Sequence, residues 1–195
     1  SNLYEHNHKI DVYGGNWDDK KISTSNKTLN YYNIFDQFYL FREPHYLKRS
    51  YAKIIKKLSR KKINYNYKKF HSFFGFIEAN KRVETLSKYL IAIGSSFIGD
   101  TYLLKNPVKI SKGRDWELPG MGIMLITHKD NVLKDVFTEG KDIEFYDTID
   151  ELDYKVKYYQ KNPSLAFEIG NNARKSIELK NNFDVRFRQI YQNIN

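Results

Sequence analysis

The sequence predicts an α/β fold, a Rossmann-like parallel sheet flanked by helices, and three observations carry that expectation. Apolar runs at 90–93, 123–126 and 143–146 have the length of buried strands. Segments with helical spacing and helix-start signals lie between and after them. Strand, helix and strand therefore alternate, the order that builds parallel sheets. The third observation is size: 195 residues are enough for one well-cored domain and short for two, so residues 1–195 are read as a single domain.

The elements follow in order. Residues 9–13 read as a strand closed by the turn Gly14-Gly15-Asn16, and the polar stretch 18–30 reads as loop. Residues 30–41 are rich in aromatics without a clear period and carry no assignment. After Pro44, which suits a first helical turn, Leu47, Tyr51, Ile54, Ile55 and Leu58 recur at helical spacing with cations on the other face. Residues 70–77 are apolar enough for a strand, and 78–88 read as a helix through Val83, Leu86 and Tyr89. The strand 90–93 is followed by the loop 94–100. Beyond the strand 123–126 come a short helix at 130–137 and a strand at 143–146. Thr148 and Glu151 form a capping box for a helix that turns Leu152, Val156 and Tyr159 inward. Asn162 and Pro163 open the next helix, with Leu165, Ile169, Ala173 and Ile177 on one face, and Asn181-Asn182 ends it before a last helix at 183–194.

Charge is concentrated in one place. Eleven Lys or Arg (Arg42, Lys48, Arg49, Lys53, Lys56, Lys57, Arg60, Lys61, Lys62, Lys68, Lys69) face the single carboxylate Glu43, an excess equal to the whole net charge of +10. Two readings of this basic helical segment, about 42–69, stay open. It is either a peripheral helix with its apolar stripe on the sheet and its lysines in water, or a surface that docks on an anionic membrane or partner. Nucleic acid is the disfavoured partner. The chain has no cysteine, which removes disulfides and thiolate metal sites and fits a reducing cytoplasm. The five histidines show no metal spacing beyond His6 and His8 near a terminus, so no metal or other cofactor is expected. The apolar runs are too short to span a bilayer.

The chemistry-bearing stretch is Lys112-Gly113-Arg114-Asp115-Trp116-Glu117-Leu118-Pro119-Gly120-Met121-Gly122, set just before the strand 123–126. Lys112 and Arg114 are suited to phosphates. Glu117 can accept two hydrogen bonds from a ribose diol, and Gly120 and Gly122 leave room for a ligand to approach the backbone. Those are the needs of a nucleotide diphosphate. The plainer alternative is a solvated basic turn ahead of a core strand. In a parallel sheet both this stretch and the loop 94–100 would lie beyond the carboxyl ends of the strands, where ligands bind.

These residues, with Gly122 five positions after the glutamate and the strand ending in Thr127, resemble the donor-site segment of GT-B glycosyltransferases. The pattern is most similar to the group-1-like C-terminal module of spore-maturation (CgeB-like) proteins. The likeness continues through Phe137-Thr138-Glu139-Gly140-Lys141-Asp142, Tyr146-Asp147, Glu151-Leu152 and Tyr158-Tyr159 to Ile169 and Arg174, and weakly includes Asp11 to Trp17. It implies one half of a GT-B fold, the donor-binding half, metal-independent and taking a UDP- or GDP-sugar. Glu117 would meet the ribose, and Lys112 and Arg114 the diphosphate. The partner it implies is an acceptor-binding N-terminal domain outside these residues, on which the 183–194 helix would pack. The catalytic residue would lie there too, and is unknown here. Localisation would be cytoplasmic, peripheral on a membrane's inner face if the basic segment docks there.

Two positions depart from the family pattern. Many retaining members carry a glutamate eight residues before the ribose-binding one, and position 109 here is lysine. Pro119 and Gly120 should also shorten or bend a helix that is usually alanine-rich. Two competing readings remain. One is an α-fucosyltransferase-like enzyme, from Ser87-Lys88-Tyr89 before an apolar strand, and the other is a non-catalytic Rossmann-like binding module.

Overall fold

A computed structural model describes residues 10–13, 45–58, 71–75 and 77–194. The turn at 14–16, the stretch 18–41, and the parts of the basic segment at 42–44 and 59–69 lie outside the described residues. The chain divides into two compact units, one built from Glu78–Ser96 and Ile110–Asn195 besides the first six residues, the other from Asn7–Ile77 and Phe97–Lys109.

The first unit is the expected α/β body. Strands β3 (Ile91–Ile93), β4 (Met124–His128) and β5 (Glu144–Tyr146) form a parallel sheet in the order β3-β4-β5. The register pairs Ile91 with Met124 and Ile126 with Glu144. All five residues of β4 are buried, as the middle strand of a sheet covered on both faces requires. Alternate side chains of β4 feed two cores. Leu125 packs with Leu118, Leu133, Phe137 and Phe145 on one face. Met124 and Ile126 pack with Leu152, Val156, Tyr159, Ala166 and Ile169 on the other. The helices that supply most of those residues are α3 (Arg114–Gly120), α4 (Asn131–Lys134), α5 (Ile149–Lys161) and α6 (Pro163–Ser176), with Phe137 following α4 and Phe145 in β5. A π-helical turn, Ile177–Asn181, links α6 to α7 (Phe183–Ile194).

Local signals explain where these helices begin. Asp130 accepts from the N–H groups of Val132 and Leu133 at the start of α4, and Thr148 Oγ1 accepts from Glu151 N at the start of α5. The capping box differs from the expected one in one bond. The Glu151 carboxylate reaches Asp147 N at 2.9 Å, and this backbone bond holds its pKa below the usual 4.5. Asn162 does not cap α6 with its side chain, which instead donates to Tyr158 O at the end of α5. Residues 78–88 form a 3-10 turn (Ala79–Lys81) and the short helix α2 (Arg82–Leu86), with Val83 exposed rather than inward. Leu165 is likewise turned outward, and the inward positions of α6 are Ala166, Ile169, Gly170 and Ala173.

Gly170 and Gly122 set the seat of α6. A Cβ on Gly170 would lie 2.1 Å from Gly122 O, so only glycine lets the helix come this close to the entry of β4. Gly122 itself turns at φ +78°, which favours glycine again.

In the second unit β1 (Ile10–Tyr13) and β2 (His71–Gly75) pair in parallel, with a register shift between Ile10 and Val12. Helix α1 (Tyr46–Leu58) packs on a 3-10 helix, Gly99–Leu103. The feet of that 3-10 segment are closed by an antiparallel bridge between Phe97 and Lys109. Among the described side chains of α1, Ala52 is wholly buried and Ile55 half-buried, whereas Leu47, Tyr51, Ile54 and Leu58 are exposed. The expectation that the apolar stripe lies on the sheet is therefore not met. A small residue seats the helix, and that rotation turns the stripe outward.

Candidate functional site

The polar groups of the first unit collect at the carboxyl ends of its three strands. β3 ends in Gly94-Ser95-Ser96, β4 in Thr127-His128 and β5 in Tyr146, and the chain enters α3 from the same edge through Lys112 and Gly113. The ladder runs one residue past β3, since Gly94 N donates to Ile126 O at 2.8 Å, and Tyr146 Oη donates to Gly94 O at 2.9 Å. Burial raises the Tyr146 pKa, so the phenol stays neutral and remains a donor. The buried hydroxyls of Ser96 and Thr127 lie 3.2 Å apart. A Cβ on Gly94 would sit 2.5 Å from Thr127 Oγ1, so the strand end is packed to backbone distance.

Lys112 and Arg114 converge on this edge. Lys112 Nζ donates to Ser95 O at 2.8 Å, and Arg114 Nη2 donates to the same oxygen. Two cations on one neutral carbonyl form a site short of negative charge. Burial lowers the Lys112 pKa, and the Arg114 guanidinium beside it lowers it further. Asp115 offsets part of that repulsion from underneath. It is fully buried, its Oδ2 accepts from Lys112 N at 2.8 Å, and its Oδ1 is 3.9 Å from Arg114 Nε, too far for a hydrogen bond. Burial raises the Asp115 pKa, and the bond from Lys112 N opposes the rise.

Gly113 is the N-cap of α3, and Glu117, one turn later, folds back so that a Cβ on Gly113 would be 3.6 Å from Glu117 Oε1. Lys112, Gly113, Arg114 and Glu117 thus come together at one helix start. Glu117 Oε2 is held by Arg82 Nη2 at 2.5 Å, with both side chains nearly half exposed. Gly120 and Gly122 follow at the end of α3 and the entry of β4. A Cβ on Gly120 would meet Ile177 Cγ2 at 3.8 Å, and one on Gly122 would meet Asn171 and Arg174 of α6 at 3.8 and 3.9 Å. Trp116, between the two polar positions, donates from Nε1 to Ser111 Oγ at 2.9 Å and packs against Phe137.

That residues 94–96 lie at the strand ends was legible, but the contacts of Ser95 O, Asp115 and Arg82 were not. Ser95 acts through a backbone carbonyl, which has no sequence signature, and Arg82 reaches Glu117 across 35 residues. Among the described residues no group of three or more His, Cys, Asp or Glu could hold a metal ion. None of their helices is long and apolar enough to cross a membrane.

In comparison with known proteins, the chain matches the family model described as glycosyl transferase-like over residues 2–192. No curated protein matches the chain, and no solved structure does. A parallel three-stranded sheet flanked by helices, with its cations gathered at the strand ends, agrees with that match, which spans nearly the whole sequence: the chain belongs to the glycosyl transferase-like family.

Proposed function

We propose that this glycosyltransferase domain is the donor-binding half of a GT-B enzyme of the CgeB-like kind and that it binds a UDP- or GDP-sugar. The observation that carries the reading is the meeting of Lys112 and Arg114 on Ser95 O beside the start of α3. A diphosphate brings two charged oxygens to cations that otherwise share one neutral acceptor, and charge-assisted bonds are about twice as strong as neutral ones. Glu117, at the same helix start, would accept from the ribose hydroxyls, exchanging its exposed pairing with Arg82 for the nucleoside. In transfer, Lys112 and Arg114 would neutralise the charge that develops on the departing nucleotide diphosphate. Gly113 leaves the approach to the helix start open. Gly120 and Gly122 would support the site indirectly, by letting α3 and the entry of β4 pack against α6 and the π-helical turn.

The acceptor would be held by a second, N-terminal domain, which would also supply the catalytic residue. The decisive experiment is calorimetric titration with UDP and GDP in EDTA, for the wild type and Arg114→Ala. Binding without a divalent cation, weakened by the substitution, is expected. A requirement for Mg²⁺ or Mn²⁺ would remove the role given to the two cations.

A further inference from the structure

Helix α1 is built the wrong way round for a helix that serves only the protein interior. Leu47, Tyr51, Ile54 and Leu58 are 77%, 60%, 53% and 74% exposed. Their spacing of four, three and four places them within an arc of about 60° on a helix of 3.6 residues per turn. A surface helix ordinarily hides such a stripe in the core. Here, among the described side chains, Ala52 is buried and Ile55 half-buried, and the helix packs on the 3-10 segment Gly99–Leu103. The exposed Lys48 and Lys53 stand on opposite sides of the stripe, about 90° and 130° from its centre. The helix contains no Asp or Glu, and all eleven cations of 42–69 lie in it or close to it in sequence.

We propose that α1 lies in the plane of an anionic phospholipid surface, its apolar stripe among the acyl chains and its lysines at the headgroups. An apolar face rimmed by cations suits that boundary, because each part meets its own medium. Nucleic acid would use the cations and leave four large apolar side chains in water. An acidic protein groove would need carboxylates in register with the helix. Six of the eleven cations of 42–69 lie outside α1 in sequence, Arg60, Lys61, Lys62, Lys68 and Lys69 among them, and a lipid surface accepts charge in any register. This inference does not depend on the donor-site reading, since α1 carries none of the donor residues.

The test is co-sedimentation with vesicles of phosphatidylcholine alone and of phosphatidylcholine mixed with phosphatidylglycerol. Binding to the mixed vesicles should be at least about tenfold stronger, and lost in 1 M salt, where the screening length falls to about 3 Å. Ile54→Glu and the pair Lys48→Glu, Lys53→Glu should each weaken it about tenfold or more, with melting temperatures unchanged because all three side chains are exposed. Tyr51→Trp should shift its emission to the blue on the mixed vesicles only. Equal binding to neutral vesicles, no binding to either, or self-association of the chain abolished by Ile54→Glu would overturn the proposal. So would binding that the charge swap removes and Ile54→Glu leaves intact, since that is adsorption to any polyanion.

Discussion

Lys112 is the residue whose chemistry is most exposed to test. Its pKa is lowered by burial and by Arg114, so the charged form is lost on going alkaline sooner than for a free lysine at 10.5. UDP affinity should therefore decline as pH rises toward that value, and Lys112→Arg, which stays charged, should flatten the decline. An unchanged pH profile in the variant would remove Lys112 from the phosphate contact. Asp115 has the opposite sign. Its folded pKa is raised above 3.8 by burial, so its contribution to stability is largest below that value and is lost as pH rises through the folded pKa. Asp115→Asn keeps an oxygen for Lys112 N, and its stability relative to wild type should improve from acid to neutral pH in parallel melting curves. Glu117 is different again, because its bond to Arg82 joins two well-exposed side chains and such a pair contributes about 0–1 kcal/mol. Glu117→Ala should leave the melting temperature nearly unchanged while weakening nucleotide binding about ten- to a hundredfold, the range for a lost charge-assisted bond. A variant that unfolds, or binds as well as wild type, would make Glu117 a structural residue.

At the level of elements, two contacts decide how the helices dock. Gly170→Ala should gain about 1 kcal/mol of helix propensity, but its methyl would meet backbone at 2.1 Å, and overpacking of this kind costs about 1–3 kcal/mol or more. The clash wins, because Gly122 O belongs to the turn into β4 and cannot rotate away as a side chain could. A denaturant midpoint higher than wild type would show that α6 can slide. The second contact is the start of α5, where Thr148→Ala removes the acceptor of Glu151 N and should cost about 1 kcal/mol. Helix α7 makes no comparable commitment. Phe183, Phe187, Ile190 and Ile194 are more than half exposed, so its apolar stripe is formed but not covered among the described residues.

For the molecule as a whole, the residues proposed to bind the donor and the basic helix fall in different units, the first in Glu78–Ser96 and Ile110–Asn195, the second in Asn7–Ile77. By formal charge the second unit carries +11 and the first −1, which together give the +10 of the chain. Nucleotide and vesicle binding should then be separable. Lys48→Glu with Lys53→Glu should leave UDP affinity within about twofold, the usual scatter for substitutions that share no partners. Arg114→Ala should leave vesicle binding as it was. If the charge swap moved UDP affinity tenfold, the two units would have to be coupled.

The order of elements was written in local chemistry, and so the sequence alone determined it. The runs at 90–93 and 123–126 announce strands by length and apolarity. Asp130 and Thr148 announce helix starts by offering a side-chain oxygen to backbone N–H groups two or three residues on. The grouping of Lys112, Gly113, Arg114 and Glu117 at one helix start was legible for the same reason, since four neighbours on one turn cannot be far apart. Tertiary structure decided what those neighbours meet. Ser95 O is 17 residues from Lys112, and Tyr146 reaches Gly94 across 52, contacts made by strand order and not by any pattern along the chain. Glycine shows the same division. Gly120 and Gly122 read as backbone-approach positions, and the fold brings Ile177 near the first and Asn171 and Arg174 near the second, neighbours no local pattern announces. In α1 the period of Leu47, Tyr51, Ile54 and Leu58 defined an apolar face, but a period fixes only which residues share a side. Whether that side meets the core or the solvent was set by how α1 docks on the Gly99–Leu103 segment, which leaves Ala52 buried and those four side chains exposed.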